Sequence, residues 1–252
     1  MKKLSLILFL SFTVVSYCFS QDINKTDAKG KKQGEWVKTH PNGNIRYKGQ
    51  FKDDKPYGTF NYYYENGKPS IVMNYDGDIA RTIAFYEEGK LKAKGNYKNQ
   101  QKDSIWNYYS LAEFKISEEL YVNGKKQGKV KNFFQDGTVA EEKEYVNDVE
   151  DGEWIQYYED GKVRMKSTYI NGSLEGKTYY YDRGGKKMIE GNFYHDVRHG
   201  AWMFFNEKEE ITKKEIYLNG NCQNCEPNLI KEEDELKENQ DQLEFEDLLP
   251  PR

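Results

Sequence analysis

One phrase recurs through this chain. Its clearest copy is GEWIQYYEDGKVRMKSTY, from Gly152 to Tyr169. With the opening residue of each copy counted as position zero, the copies begin at Gly34, Gly58, Ala80, Ser104, Gly128, Gly152, Gly176 and Gly200. The step is 24 residues throughout, except for a step of 22 from Gly58 to Ala80. A period of this size belongs to arrays of small supersecondary units, in which each unit buries apolar surface against its neighbours.

Three aromatic columns run through the copies. Position 17 is always a ring: Phe51, Tyr75, Tyr97, Tyr121, Tyr145, Tyr169, Phe193 and Tyr217. Turn chemistry does not demand a ring, so this column is expected to pack from repeat to repeat. Position 5 is aromatic in every copy but the first, where Thr39 stands. Position 2 holds every tryptophan of the chain: Trp36, Trp106, Trp154 and Trp202.

Between the columns lie turn signals. Position 9 is Gly43, Gly67, Gly89, Gly137, Gly161 and Gly185, often after Asn or Asp. Such residues supply the positive φ that tight hairpin turns need. Glu113 and Glu209 interrupt the column, and those two hairpins are expected to have different loops. Asn123-Gly124, Asn171-Gly172 and Asn219-Gly220 mark a second set of turns, between copies. The intervening residues alternate: Val163, Met165 and Tyr169 point one way, Arg164 and Lys166 the other. Period two is the signature of a half-buried antiparallel strand. The spacing thus predicts an all-β chain, an elongated antiparallel sheet of about eight hairpins over 34–221.

Composition agrees with a thin sheet. Mean hydropathy is −1.00, which is poor for a thick two-layer core. Yet 21 Tyr and 13 Phe speak against disorder.

The pattern G-x-W-x-x-Y-Y-x-x-G followed by Y-x-N-G resembles the MORN repeat in its bacterial variant form, over about Gly34 to Gly220. The resemblance implies a hairpin solenoid. It also brings the YwqK-type antitoxin label, which implies a toxin as partner.

The ends differ from the array. Residues 1–20 read as a secretory signal: Lys2-Lys3, an apolar run from Leu4 to Val15, then Cys18 and Ser20 before a cut at Gln21. The run is too short to span a membrane. The alternative is a lipoprotein acylated at Cys18. An exported protein is therefore expected, periplasmic, outer-membrane-associated or extracellular. Residues 21–33 form a polar lead-in. Residues 222–252 hold Cys222-Gln-Asn-Cys225 and an acidic tail with ten acidic and three basic residues from 226 onward. Leu229, Leu236 and Leu243 are seven apart and suit a short helix docked over the last hairpins; a disordered acidic appendage is the alternative.

Cys222 and Cys225 read first as a disulfide in an exported chain; a redox pair and part of a metal site are the alternatives. His195 and His199 flank an inter-repeat turn, so a solvated loop is expected rather than a zinc pair. No nucleophile elbow, P-loop, zinc-protease motif or dinucleotide fingerprint is present. No enzyme activity, cofactor or metal is expected. A near-neutral body gives no footprint for nucleic acid. The candidate binding surface is the tyrosine ladder: Tyr62, Tyr64, Tyr108, Tyr158 and Tyr180. A protein partner is the first expectation; a cell-envelope glycan stacked on the rings is the alternative.

Overall fold

The computed structural model describes residues 23–225. The expected signal over 1–20 and the acidic tail beyond Cys225, including its leucine stripe, lie outside the described residues. Within them the chain is a single antiparallel sheet of 21 strand segments and no helix. Eight hairpins carry it: Lys32–Thr39 with Ile45–Lys52, Lys55–Tyr63 with Pro69–Asp76, Ile79–Phe85 with Leu91–Lys98, Gln101–Tyr109 with Lys115–Val122, Gly128–Phe133 with Val139–Val146, Val149–Tyr157 with Val163–Ile170, Gly176–Tyr181 with Lys187–Tyr194, and Gly200–Phe205 with Ile211–Leu218. The remaining segments have two residues each and complete the joints. In the lead-in, Lys25–Thr26 pairs with Lys32 and Gln33, and the Lys25 carbonyl accepts from Trp36 Nε1 at 3.2 Å.

Each hairpin slips register at the same place. Position 4 pairs with position 13, but position 5 pairs with position 11, as in Tyr62↔Ile71 and Tyr63↔Pro69. The extra residue at position 12 is a β-bulge, which bends its strand and strengthens the twist. It recurs in all eight hairpins because all eight share one spacing.

The hairpin loops correct one expectation. Glu113 and Glu209 do not make different loops. They take φ of 70° and 59°, the left-handed conformation that glycine takes in the other copies. Their N–H groups donate to Ser110 and Asn206 carbonyls at 2.9 and 2.8 Å, as Gly67 donates to Tyr64 at 2.9 Å. The two backbone bonds that close each loop outweigh the modest cost of a side chain at positive φ, about 1 kcal/mol.

Neighbouring hairpins are also tied at both edges. Between the copies, Gly124 N donates to Lys102 O, Gly172 N to Glu150 O, and Gly220 N to Arg198 O, at 2.8–2.9 Å. At the hairpin tips, Asn42 and Asn44 both donate to Glu65 O, Lys162 to Arg183 O, and Lys186 to Glu207 O. Every bond runs from one copy to the next, the connectivity of a solenoid.

The core is a row, not a centre. Position 2 is its spine: Phe60, Thr82, Trp106, Val130, Thr178 and Trp202 are all buried. Three of the rings lie on glycines that precede them by eleven residues. A Cβ on Gly49, Gly95 or Gly191 would stand 2.3 Å from Phe60, Trp106 or Trp202 respectively. Where the equivalent of that glycine is Met73, Glu119 or Ser167, the next spine residue is Thr82, Val130 or Thr178. The volumes trade, as close packing requires. Lys143 followed by Trp154 departs from the trade, and there the lysine stands over the indole at 4.9 Å.

Candidate functional site

The sheet has two unlike faces. One carries positions 2, 4, 13, 15 and 17, and the other carries positions 3, 5, 11 and 14. The second face is largely charged: Glu190 takes Lys187 at 2.6 Å and Lys177 at 3.2 Å, and Glu142 takes Lys129 and Lys131. Lys187 holds the Glu190 carboxyl below its usual range.

The first face is aromatic. Trp106 meets Tyr97 edge-on at 5.0 Å and stacks with Tyr108 at 6.2 Å. Phe60 touches Phe51, Tyr62 and Tyr75 in the same manner. Cations lie over the rings. Lys102 stands 4.9 Å from Trp106 and 4.7 Å from Tyr121, and Arg198 stands 4.4 Å from Trp202. Such contacts are worth about 0.5–2 kcal/mol each, depending on desolvation.

A polar chain threads this face through the middle hairpins. The Lys102 ammonium donates to the Tyr108 hydroxyl, and the Tyr121 hydroxyl donates to Glu119 Oε2, both at 2.5 Å. Lys126 pairs with Glu119 at 3.3 Å; Lys143 pairs with Glu150 at 3.0 Å; and Trp154 Nε1 donates to Glu141 Oε1. Burial pulls the Lys102 pKa down, with Glu119 opposing it. Burial also pushes Tyr108 up to about 12, helped by the Glu119 charge. Glu119, Glu141 and Glu215 are buried, and each has side-chain partners. Their lone pairs serve neighbours within the sheet, which fixes ring positions. Among the described residues, no group of three or more His, Cys, Asp and Glu is placed to hold a metal.

The structure divides the five ladder tyrosines. Tyr62, Tyr108 and Tyr180 sit at position 4 on the aromatic face, half-buried. Tyr62 lies 5.8 Å from Tyr47, and Tyr180 pairs across the strands with Met165 and Ile189. Tyr64 and Tyr158 sit at position 6, at the hairpin tips. Their hydroxyls donate to the position-5 carbonyl of the following copy, Phe85 O at 2.6 Å and Tyr181 O at 2.8 Å. Tyr86 does the same to Tyr109 O, and His40 Nε2 bonds Tyr63 O. These side chains latch one copy to the next. The spacing of 21 to 23 residues between donor and acceptor was the available signal.

At the far end Cys222 and Cys225 form a disulfide with Cα atoms 5.7 Å apart, and Cys225 lies against the Tyr217 hydroxyl. His195 sits in a turn at φ 47°, with Nδ1 2.8 Å from Glu175, and it does not share a ligand with His199. No helix among the described residues is long and apolar enough to cross a membrane.

A hollow of about 340 Å³ on the aromatic face opens at the 22-residue step between the second and third hairpins. It is the one joint among the described residues where strands pair without a slip, a consequence of the shorter step that spacing alone does not display.

The family model described as the MORN repeat variant matches residues 32–53, 56–76, 81–99, 126–147 and 150–171. These are the first, second, third, fifth and sixth hairpins. Two of the three unmatched hairpins carry Glu113 and Glu209 at the turn. No curated protein matches the chain.

Proposed function

Because this chain belongs to the MORN repeat variant family, we propose that it is an exported, non-enzymatic scaffold that holds a protein partner along its aromatic face. Repeats of this kind are commonly scaffolds for protein or membrane interaction. One observation carries the reading: among the described residues the sheet is a single layer, and its row of half-buried rings runs the length of the array with no second layer of those residues over it. Half-buried Tyr and Trp beside cations are the composition of interface centres. Glu119, Glu141, Glu150 and Glu215 on this face are each engaged with neighbouring side chains.

Export rests on the leader-like residues 1–20 and is supported by the Cys222–Cys225 disulfide, a bond of oxidising compartments. A toxin partner would be a special case of the same scaffold.

A photo-crosslinking aromatic placed at Tyr180 should yield a discrete protein adduct in cells, while the same group at Lys166, on the opposite face, should not. Equal adducts from both positions would refute the assignment of the face. Mass spectrometry of the purified protein should find Gln21 at the N-terminus; a lipid on Cys18 would replace soluble export with anchoring.

A further inference from the structure

Every joint between hairpins sets a residue across from the position-17 ring of the copy before. That residue is Pro56, Lys102, Lys126, Glu150, Leu174 or Arg198, and Cys222 after the last copy. At the 22-residue step it is Ala80, which faces Tyr75 on one side and Tyr97 on the other. Two residues are missing from this joint, and a methyl group stands where the other joints place a larger side chain. The spine residue beside it is small as well, being Thr82 rather than a ring. The two shortfalls together leave the 340 Å³ hollow, walled by Tyr62, Tyr75 and Tyr97 and floored by Met73 and Ala80.

Five of the other copies show what such a space accepts, while in the seventh Leu174 stands at the place of the cation. Lys32 lies 4.9 Å from Trp36 and 4.7 Å from Phe51; Lys102 lies over Trp106 and Tyr121; Lys126 lies 5.4 Å from Tyr145; Arg198 lies over Trp202 and 5.4 Å from Tyr217. Each is the residue two before the start of its copy, and each sits over the position-17 ring of that same copy. In the sixth copy Lys143 takes the place, 5.0 Å from Tyr169. Among the described residues no Lys or Arg is placed over Tyr75 or Tyr97.

We propose that this slot receives a lysine or arginine side chain from a partner polypeptide, which supplies in trans the cation that the shortened joint lacks. The proposal rests on the scaffold reading and adds to it a point of recognition. Tyr75 and Tyr97 stand on strands either side of that of Ala80, so their backbones are about 10 Å apart. That separation suits one alkyl chain between two ring faces. Asp78 at the mouth favours a cation. Lys55, also at the mouth, opposes one, so the slot takes a single charge, and removing Lys55 should tighten it.

Met73 reports on the slot directly, and Met165, buried in the sixth hairpin, is an internal control. The full-length protein labelled at methionine methyls is titrated with a heptapeptide whose only charge is one central lysine, and with the same peptide bearing norleucine in its place. The Met73 signal should move with the lysine peptide while Met165 stays, and norleucine should bind about fivefold or more weakly. Ala80→Lys, which restores an internal cation, should leave Met73 unresponsive; Lys55→Ala should strengthen the response. Should Ala80→Lys lose the Met165 signal and so fail to fold, Tyr97→Leu takes its place, again with loss of response. A Met73 signal that is still at about 10 mM lysine peptide, or that moves equally with both peptides, overturns the proposal. A partner crosslinked through Tyr180 alongside a silent Met73 would sink the cation slot alone. A responsive Met73 with no crosslinked partner would sink the scaffold reading alone.

Discussion

Gly191 and Trp202 occupy one place in the packing: a Cβ on Gly191 would lie 2.3 Å from the indole ring. Gly191→Ala should therefore destabilise the protein by about 1–3 kcal/mol, the range for overpacking a filled site. The double change Gly191→Ala with Trp202→Val should cost less than the two single changes summed, since Val130 already serves beside a larger neighbour. A urea-denaturation double-mutant cycle reads the coupling, and simple additivity would contradict the volume trade.

The two faces should respond unequally to truncation. Trp106 is 3% exposed, and Trp106→Ala should cost about 3–5 kcal/mol. Lys166 is exposed on the opposite face, and Lys166→Ala should cost about 0.5 kcal/mol or less. Equal shifts in Tm would mean the buried row is misplaced.

The tip latches should be individually modest and local. Tyr86→Phe removes only the hydroxyl that donates to Tyr109 O at 2.8 Å. A loss of about 0.5–1.5 kcal/mol is expected. Amide exchange should quicken at the tips of the third and fourth hairpins and stay unchanged in the seventh.

Alkali should loosen the aromatic face. Burial raises Tyr75, Tyr108 and Tyr169 from 10.0 to about 12. A raised folded pKa favours the neutral ring, so the contribution is complete below pH 10 and is lost as pH climbs toward 12. Glu190 has the opposite sign: its depressed pKa contributes above the ordinary carboxylate range and fades as pH falls. Tm measured against pH should drop on the alkaline side as tyrosinate absorbance appears. Ionisation of these rings at pH 10 without loss of structure would contradict the packing described.

The terminal disulfide should matter in proportion to its small loop. Replacing Cys222 and Cys225 by serine should cost about 2 kcal/mol by loop entropy. The loss should be confined to the last hairpin, where Cys222 pairs with Tyr217, and exchange at Ile216 and Tyr217 reports it.

Much of the fold was legible because it is written eight times. Strand alternation placed Met165 inward and Lys166 outward, whereas the position-17 column named rings that are mostly half-buried beside the spine, the spine itself being position 2. What sequence missed depends on relations between copies. The glycines at 49, 95 and 191 look like turn residues or gaps until each is set beside the ring eleven residues later. Tyr64 and Tyr158 share a composition with Tyr62 and Tyr108, yet two residues further on, just past the strand end, they become latches rather than face residues. Glu113 and Glu209 looked like broken turns because glycine is the easiest residue at positive φ, although backbone bonds can hold another residue there. The hollow beside Ala80 comes from two absent residues, and an absence leaves no letter to read.

The stitches along both edges reach only from one copy to the next: Asn42 to Glu65 O, Lys162 to Arg183 O, Gly172 to Glu150 O. Load applied along the stack of described residues would thus meet one joint at a time, with no cross-tie among them to share it. Extension in an optical trap would proceed as a staircase of similar rips, each releasing one hairpin. The length of the molecule is in this sense a tally: a copy of 24 residues could be spliced in or cut out, and the joints on either side would still find the partners they were built for.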